Sequence, residues 1–135
     1  MNMLPPHLTL YTGTYRSSLP LVIGHEFSGT IEEVGASLQG KYKAGQKLCA
    51  QPDFGCSECS VCKSGNRNVC PKMGFVGLSG PPGGLGQYTV LKPENFHILP
   101  DNIPLDAGAM IEPLAVAWHA TRIGGVKKGD RCLVM

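Results

Sequence analysis

The sequence predicts a mainly β fold with short helices, and three observations carry that reading. Glycine and proline number 18 and 11 among 135 residues, which marks a chain of many turns and short strands. Its apolar segments are brief and bounded by Gly, Pro or Asn. Helical periodicity occurs in one place, near the C-terminal end.

In chain order, Leu21-Val22-Ile23, Lys47-Leu48-Cys49-Ala50, Tyr88-Thr89-Val90-Leu91 and Phe96-His97-Ile98-Leu99 are expected to form strands, each a short apolar run between turn formers. The Gly/Pro-rich run over residues 77–86 is expected to be turns. It lacks the Gly-Lys-Ser/Thr ending of a phosphate loop and leads into a predicted strand rather than a helix. Ala107, Met110, Ile111, Leu114, Ala115 and Trp118 then recur at i, i+3, i+4, i+7, i+8 and i+11, which predicts a helix with one apolar face. Proline is best tolerated at the first helical position, so the helix is expected to start at Pro113, with Glu112 just before it at the N-terminus. A Gly124-Gly125 break, a turn at residues 127–130 and the beginning of a strand at residues 131–135 follow.

A 42% hydrophobic and 16% charged composition belongs to a soluble globular chain, long enough for one domain with a core and too short for two of ordinary size. The formal charge of +2, with no basic run longer than Lys127-Lys128, leaves no electrostatic footprint for nucleic acid. Met1-Asn2-Met3-Leu4-Pro5-Pro6 has no signal-peptide character, and no segment is apolar enough to span a bilayer. The expectation is a cytoplasmic protein with neither a nucleic acid nor a membrane as partner, and with self-association left open.

Four of the six cysteines, Cys56, Cys59, Cys62 and Cys70, stand at C-x2-C-x2-C-x7-C, a spacing that folds thiolates around one tetrahedral zinc ion. Sulfur at every position leaves no open site for a substrate, so the role expected is structural. Lys63, Arg67 and Lys72 lie in the same stretch and are expected to offset the thiolate charge. Disulfides and thiol redox chemistry are the alternatives for such spacing. Cys49 and Cys132 sit in apolar strand patterns and read as small buried hydrophobes, while His97 and His119 read as structural histidines. A closed zinc site does not by itself mean an enzyme, since zinc ribbons and knuckles bind nucleic acid or protein.

The segment Gly24-His25-Glu26-Phe27-Ser28-Gly29, followed by Gly35, resembles the zinc-dependent medium-chain alcohol dehydrogenase signature, with Leu38 bulkier than the small residue usual there. Gly74-Phe75-Val76-Gly77-Leu78, Gly83-Gly84-Leu85 and Ile111-Glu112-Pro113-Leu114-Ala115-Val116-Ala117-Trp118-His119-Ala120 look like the polyol and butanediol dehydrogenase branch, so the resemblance runs from Tyr15 onward. It implies a GroES-like β-barrel catalytic domain over residues 1–121, its first strands missing. Residues 122–135 would begin a nucleotide-binding Rossmann domain that the chain does not contain. It also implies a catalytic zinc held by His25, Glu26 and Glu112, with hydride transfer from a small-molecule alcohol, diol or polyol to NAD or NADP.

The sequence departs from that family in two respects. The family's catalytic cysteine ligand falls on Leu4 or Asn2, neither of which coordinates as a thiolate, and His7 is the nearby residue able to substitute. No G-x-G-x-x-G turn follows Cys132-Leu133-Val134, so no nucleotide-binding residues are assigned. The chain alone is therefore expected to be inactive. From a different class of function, the alternative is a zinc-stabilised protein-binding module without catalysis.

Overall fold

A computed structural model describes residues 19–134. Five short strands, β1 (Ser28–Thr30), β2 (Lys47–Ala50), β3 (Asp53–Phe54), β4 (Gly74–Phe75) and β5 (Phe96–Ile98), accompany three helices, α1 (Ser60–Lys63), α2 (Leu105–Ala109) and α3 (Ile111–Ile123). The predicted strands at residues 47–50 and 96–99 form, the second ending at Ile98.

The strands make two antiparallel sheets, one ordered β1-β2-β5 and one pairing β3 with β4. Cys49 of the central strand stands between Ser28 and His97, and Leu48 between Gly29 and Ile98. With neighbours on both edges and α2 packed against β1 and β2, Leu48, Cys49 and Ala50 are buried. The Ser28 hydroxyl donates to the Leu105 carbonyl and fastens β1 to α2. Asn95, 2% exposed, joins the sheets: its Nδ2 donates to the carbonyls of Gln51 (3.2 Å) and Asp53 (3.5 Å), while its own carbonyl accepts from Gln51 N (2.9 Å). A buried amide so engaged fixes relative position rather than adding apolar burial.

Several expectations are corrected. Residues 21–23 are not a strand; the Val22 and Ile23 carbonyls accept from the amides of Gly83 (2.8 Å) and Leu85 (3.1 Å), which makes them a loop held against a loop. Residues 88–91 form no strand either, with Tyr88 and Val90 mostly exposed. The periodic run near the C-terminal end divides at Met110 into α2 and α3, so the second helix begins at Ile111 and Pro113 is its third residue. A first-turn amide has no intrahelical partner to lose, which is why proline is accommodated there. The apolar face predicted for this helix is not buried among the described residues: Met110, Leu114 and Trp118 are 63%, 66% and 66% exposed.

At its C-terminal end α3 closes as predicted on glycine. Gly125, at φ +65°, donates to the Arg122 carbonyl (3.2 Å), and Val126 N donates to Thr121 O (3.1 Å), the paired bonds of a Schellman cap. The turn at residues 127–130 is closed by Asp130, whose carboxylate accepts from Lys127 N (2.7 Å). Residues 131–134 find no strand partner among the described residues, and Cys132 is exposed rather than buried. No described helix is long and apolar enough to cross a membrane.

Candidate metal centres

The chain enters the cysteine loop from β3 and leaves it into β4. Gly55 lets it pass close to a sulfur, since a β-carbon there would stand 2.7 Å from Cys62 Sγ. Ser57 adopts φ 60°, an uncommon conformation for a residue with a side chain, and turns the backbone between Cys56 and Cys59. Amides then converge on sulfur. Cys59 N donates to Cys56 Sγ (3.4 Å), Cys62 N to Cys59 Sγ (3.4 Å) at the N-cap of α1, and Cys56 N and Lys72 N to Cys70 Sγ (3.5 and 3.3 Å).

All four sulfurs lie within 4.8 Å of one another. Cys56 and Cys70 Sγ are 3.7 Å apart and Cys59 and Cys70 Sγ 3.9 Å. A tetrahedron with zinc–sulfur bonds of about 2.3 Å has edges of roughly 3.8 Å, so the donor set fits that ion. All four are free thiols, and these separations are well beyond a disulfide bond of about 2.05 Å.

Their acidities are uneven. Backbone amides, that of Glu58 first, lower Cys56 to about 6, and the Cys56 amide is the largest influence lowering Cys70. Cys62 is pushed up to about 12 by desolvation and then by the neighbouring Cys70 thiol. A divalent ion replaces the retained proton and removes this conflict.

Of the predicted counter-charges, Lys72 carries the influence of the sulfurs. Its pKa is raised first by Glu58, which it meets at 2.9 Å, and then by Cys56. Arg67 is turned the other way, with Nε 3.6 Å from Asp53 Oδ2. Lys63 is exposed on α1.

The second cluster gathers residues from distant parts of the chain: the ligand atoms of His25, Glu26 and Glu112 also lie within 4.8 Å of one another. His25 is 8% exposed, follows Gly24 at φ +104°, and sits on a loop anchored by Gly84 N donating to Gly24 O (2.9 Å). The Phe75 ring meets the imidazole edge-on, centroids 6.2 Å apart and planes at 83°. Glu112 arrives in the first turn of α3 and Glu26 is exposed. Burial, then the charges of Glu26 and Asp53, raise the Glu112 carboxyl above its ordinary value. One imidazole and two crowded carboxylates form a donor set that a divalent cation stabilises, and nitrogen with oxygen ligands suits zinc.

All seven predicted site residues thus fall into two compact groups. Neither His97, bound through Nε2 to Gln51 Oε1 at 2.6 Å, nor the exposed His119 belongs to either. Asn2, Leu4 and His7 lie outside the described residues. Sequence reasoning gave Asp53 no role, and it placed Phe75, Gly77, Gly83 and Gly84 within the family resemblance without the contacts they make to the loop that carries His25. A groove of about 610 Å³ between Phe27, Tyr42, Leu48, Val90 and Phe96 is lined by none of the seven, so donor atoms rather than cavity volume locate the chemistry.

The alcohol dehydrogenase GroES-like domain matches residues 3–101. The (R,R)-butanediol dehydrogenase of Saccharomyces cerevisiae is 35% identical over 133 residues, covering 88% of this chain and 35% of that protein. L-idonate 5-dehydrogenase of Vitis vinifera is 42% identical over 117 residues, covering 86% and 31%. A structure from Sinorhizobium meliloti 1021, assigned as a zinc-binding dehydrogenase and bound to NADP, superposes with a TM-score of 0.84 at 27% identity, covering 93% of this chain and 36% of that one. The chain spans about a third of the length of the curated relatives it matches.

Proposed function

The chain belongs to the alcohol dehydrogenase GroES-like domain family, and from that premise we propose that it is the zinc-binding catalytic portion of an NAD(P)-dependent dehydrogenase of alcohols, diols or polyols. The convergence of His25, Glu26 and Glu112 within 4.8 Å, beside a separate four-sulfur cage, is the observation that carries the reading. The relatives' names, a butanediol and an idonate dehydrogenase, support the substrate class.

In this reading Cys56, Cys59, Cys62 and Cys70 hold a structural zinc and brace the loop. His25 and Glu112, with Glu26, hold a catalytic zinc. Zinc bound there supplies a Lewis acid that makes an alcohol hydroxyl easier to deprotonate. The residues have their own tasks: the Gly24 turn and the Phe75 ring orient the imidazole, and a cation would hold the raised Glu112 carboxyl in its ionised form beside exposed Glu26.

We assign residues 1–121 to the GroES-like catalytic domain and residues 122–135 to the beginning of a nucleotide-binding domain, in a cytoplasmic protein. The sequence contains no G-x-G-x-x-G turn, so the chain alone is expected to transfer no hydride. The test is metal analysis of the purified chain, with and without His25→Ala, together with turnover assays using NAD and NADP on a panel of diols and polyols. One ion lost in the variant and no turnover support the proposal; an unchanged metal content or turnover by the chain alone contradicts it. The exposed Leu114, Trp118 and Ile123 suit the binding-module alternative, which predicts metal at the cysteines only.

A further inference from the structure

Phe75 touches one cluster and lies on the strand that leaves the loop of the other. It lies in β4, just after the last cysteine, and its partner across the two-stranded sheet is Asp53, just before the first. The sheet is therefore the base of the cysteine loop. Arg67, from within that loop, reaches back to Asp53 at 3.6 Å. The Phe75 backbone is fixed at both ends: its amide donates to Ser79 Oγ (3.0 Å), its carbonyl accepts from Ser79 N (3.0 Å), and the next residue, Val76, is fully buried with its amide on Pro52 O (2.9 Å). The ring carried by this frame meets the His25 imidazole edge-on, with centroids 6.2 Å apart.

We propose that Phe75 is a positioning residue through which ion binding at the four-cysteine loop tightens metal binding at His25, Glu26 and Glu112. The inference rests on the reading that both clusters hold metal. An ion bound by Cys56 and Cys70 locks the two ends of the loop together and with them the Asp53–Phe75 pairing. The aromatic wall then holds the imidazole where its nitrogen converges with the carboxylates. With the loop empty, β4 keeps its contacts to Ser79 and Pro52 but loses the clamp from the cysteines, and the Phe75 ring holds the imidazole less tightly. Coupling of this kind is reciprocal, so a metal at His25 also tightens the cysteine site.

The test is a cobalt(II) titration of the 135-residue chain with cadmium(II) already bound at the cysteines, which soft thiolates favour, beside a Cys56→Ser/Cys70→Ser chain whose loop stays empty. Cobalt at His25, Glu26 and Glu112 has no thiolate ligand, so its visible spectrum lacks sulfur-to-metal charge transfer and reports that cluster alone. The cadmium-loaded chain is expected to bind cobalt at that cluster roughly 10-fold more tightly than the chain with the empty loop, within the range of outer-shell effects on metal affinity. In Phe75→Leu that gain falls to less than about 2-fold while cadmium affinity is retained, and Phe75→Tyr, which keeps the ring, restores most of it. Equal cobalt affinity in the cadmium-loaded chain and in the empty-loop chain, both with Phe75 in place, overturns the coupling and leaves the two-site reading standing. A Phe75→Leu chain that keeps the full gain, or loses cadmium and cobalt affinity together, also overturns it. Failure of cobalt to bind at all defeats the underlying two-site reading, and the coupling with it.

Discussion

Gly77 lies so close to Gly24 that a β-carbon on Gly77 would stand 2.3 Å from the Gly24 carbonyl oxygen. The contact is backbone against backbone, at φ +73°, so no side-chain rotation relieves it. Gly77→Ala is therefore expected to cost about 1–3 kcal/mol from the left-handed backbone alone, with a further cost from displacing the loop that carries His25. Urea unfolding together with zinc content checks this: a lower midpoint and loss of metal from the His25 cluster are expected, with the cysteine site still loaded.

Desolvation pushes the Cys62 thiol up to about 12, and this residue closes the sulfur cage. Cys62→Ser is expected to weaken zinc at that site by more than the roughly 10- to 100-fold typical of losing an outer-shell partner. Competition with a chromophoric chelator measures it. Stripping the unsubstituted chain with a strong chelator should also lower its melting temperature, since the metal contributes to the folding of the loop.

The Glu112 carboxyl is raised in the folded chain by burial and by Glu26 and Asp53. Between its ordinary value and that raised value the folded state binds more protons than the unfolded state, so metal-free stability falls as pH climbs through this window and stays lower above it. Glu112→Gln removes that loss. In the absence of metal the variant is expected to be more stable than the parent at neutral pH, with the difference closing below the usual carboxylate range. Denaturation midpoints from pH 4 to pH 8 read the trend, while cobalt titration should show weakened binding.

Cys49 and Cys132 look alike in the sequence, and the structure separates them. Cys49 is 3% exposed, and burial raises its thiol; Cys132 is exposed. Because the thiolate is the reactive species, iodoacetamide is expected to label Cys132 in the zinc-loaded chain and leave Cys49 intact until the protein unfolds. Peptide mass spectrometry distinguishes the two.

That pair shows what the sequence could and could not reveal. Cys49 has strands on both sides, and Cys132 has none among the described residues; local pattern does not report the presence of a partner strand. The cysteine cage was legible because its ligands lie within one short loop and their spacing is itself the geometry. The His25 cluster was legible only through the family resemblance, since Glu112 comes from the far end of the chain. Residues 21–23 and 88–91 have strand composition without strand pairing. The periodicity at residues 107–118 was real, but Met110 broke the run and its apolar side chains remained exposed. The resemblance marks Phe75 but not its pairing with Asp53, which depends on how the base of the loop folds.

The central claim is that this chain binds metal at two separate centres, one of sulfur and one of imidazole and carboxylate. Native mass spectrometry of the zinc-loaded chain, beside its His25→Ala and Cys62→Ser variants, tests it most directly. The account predicts an ion at each cluster, the His25 variant losing one and keeping the other, and the Cys62 variant doing the reverse. A chain that holds zinc only at the cysteines, with His25→Ala indistinguishable from the parent, would contradict it.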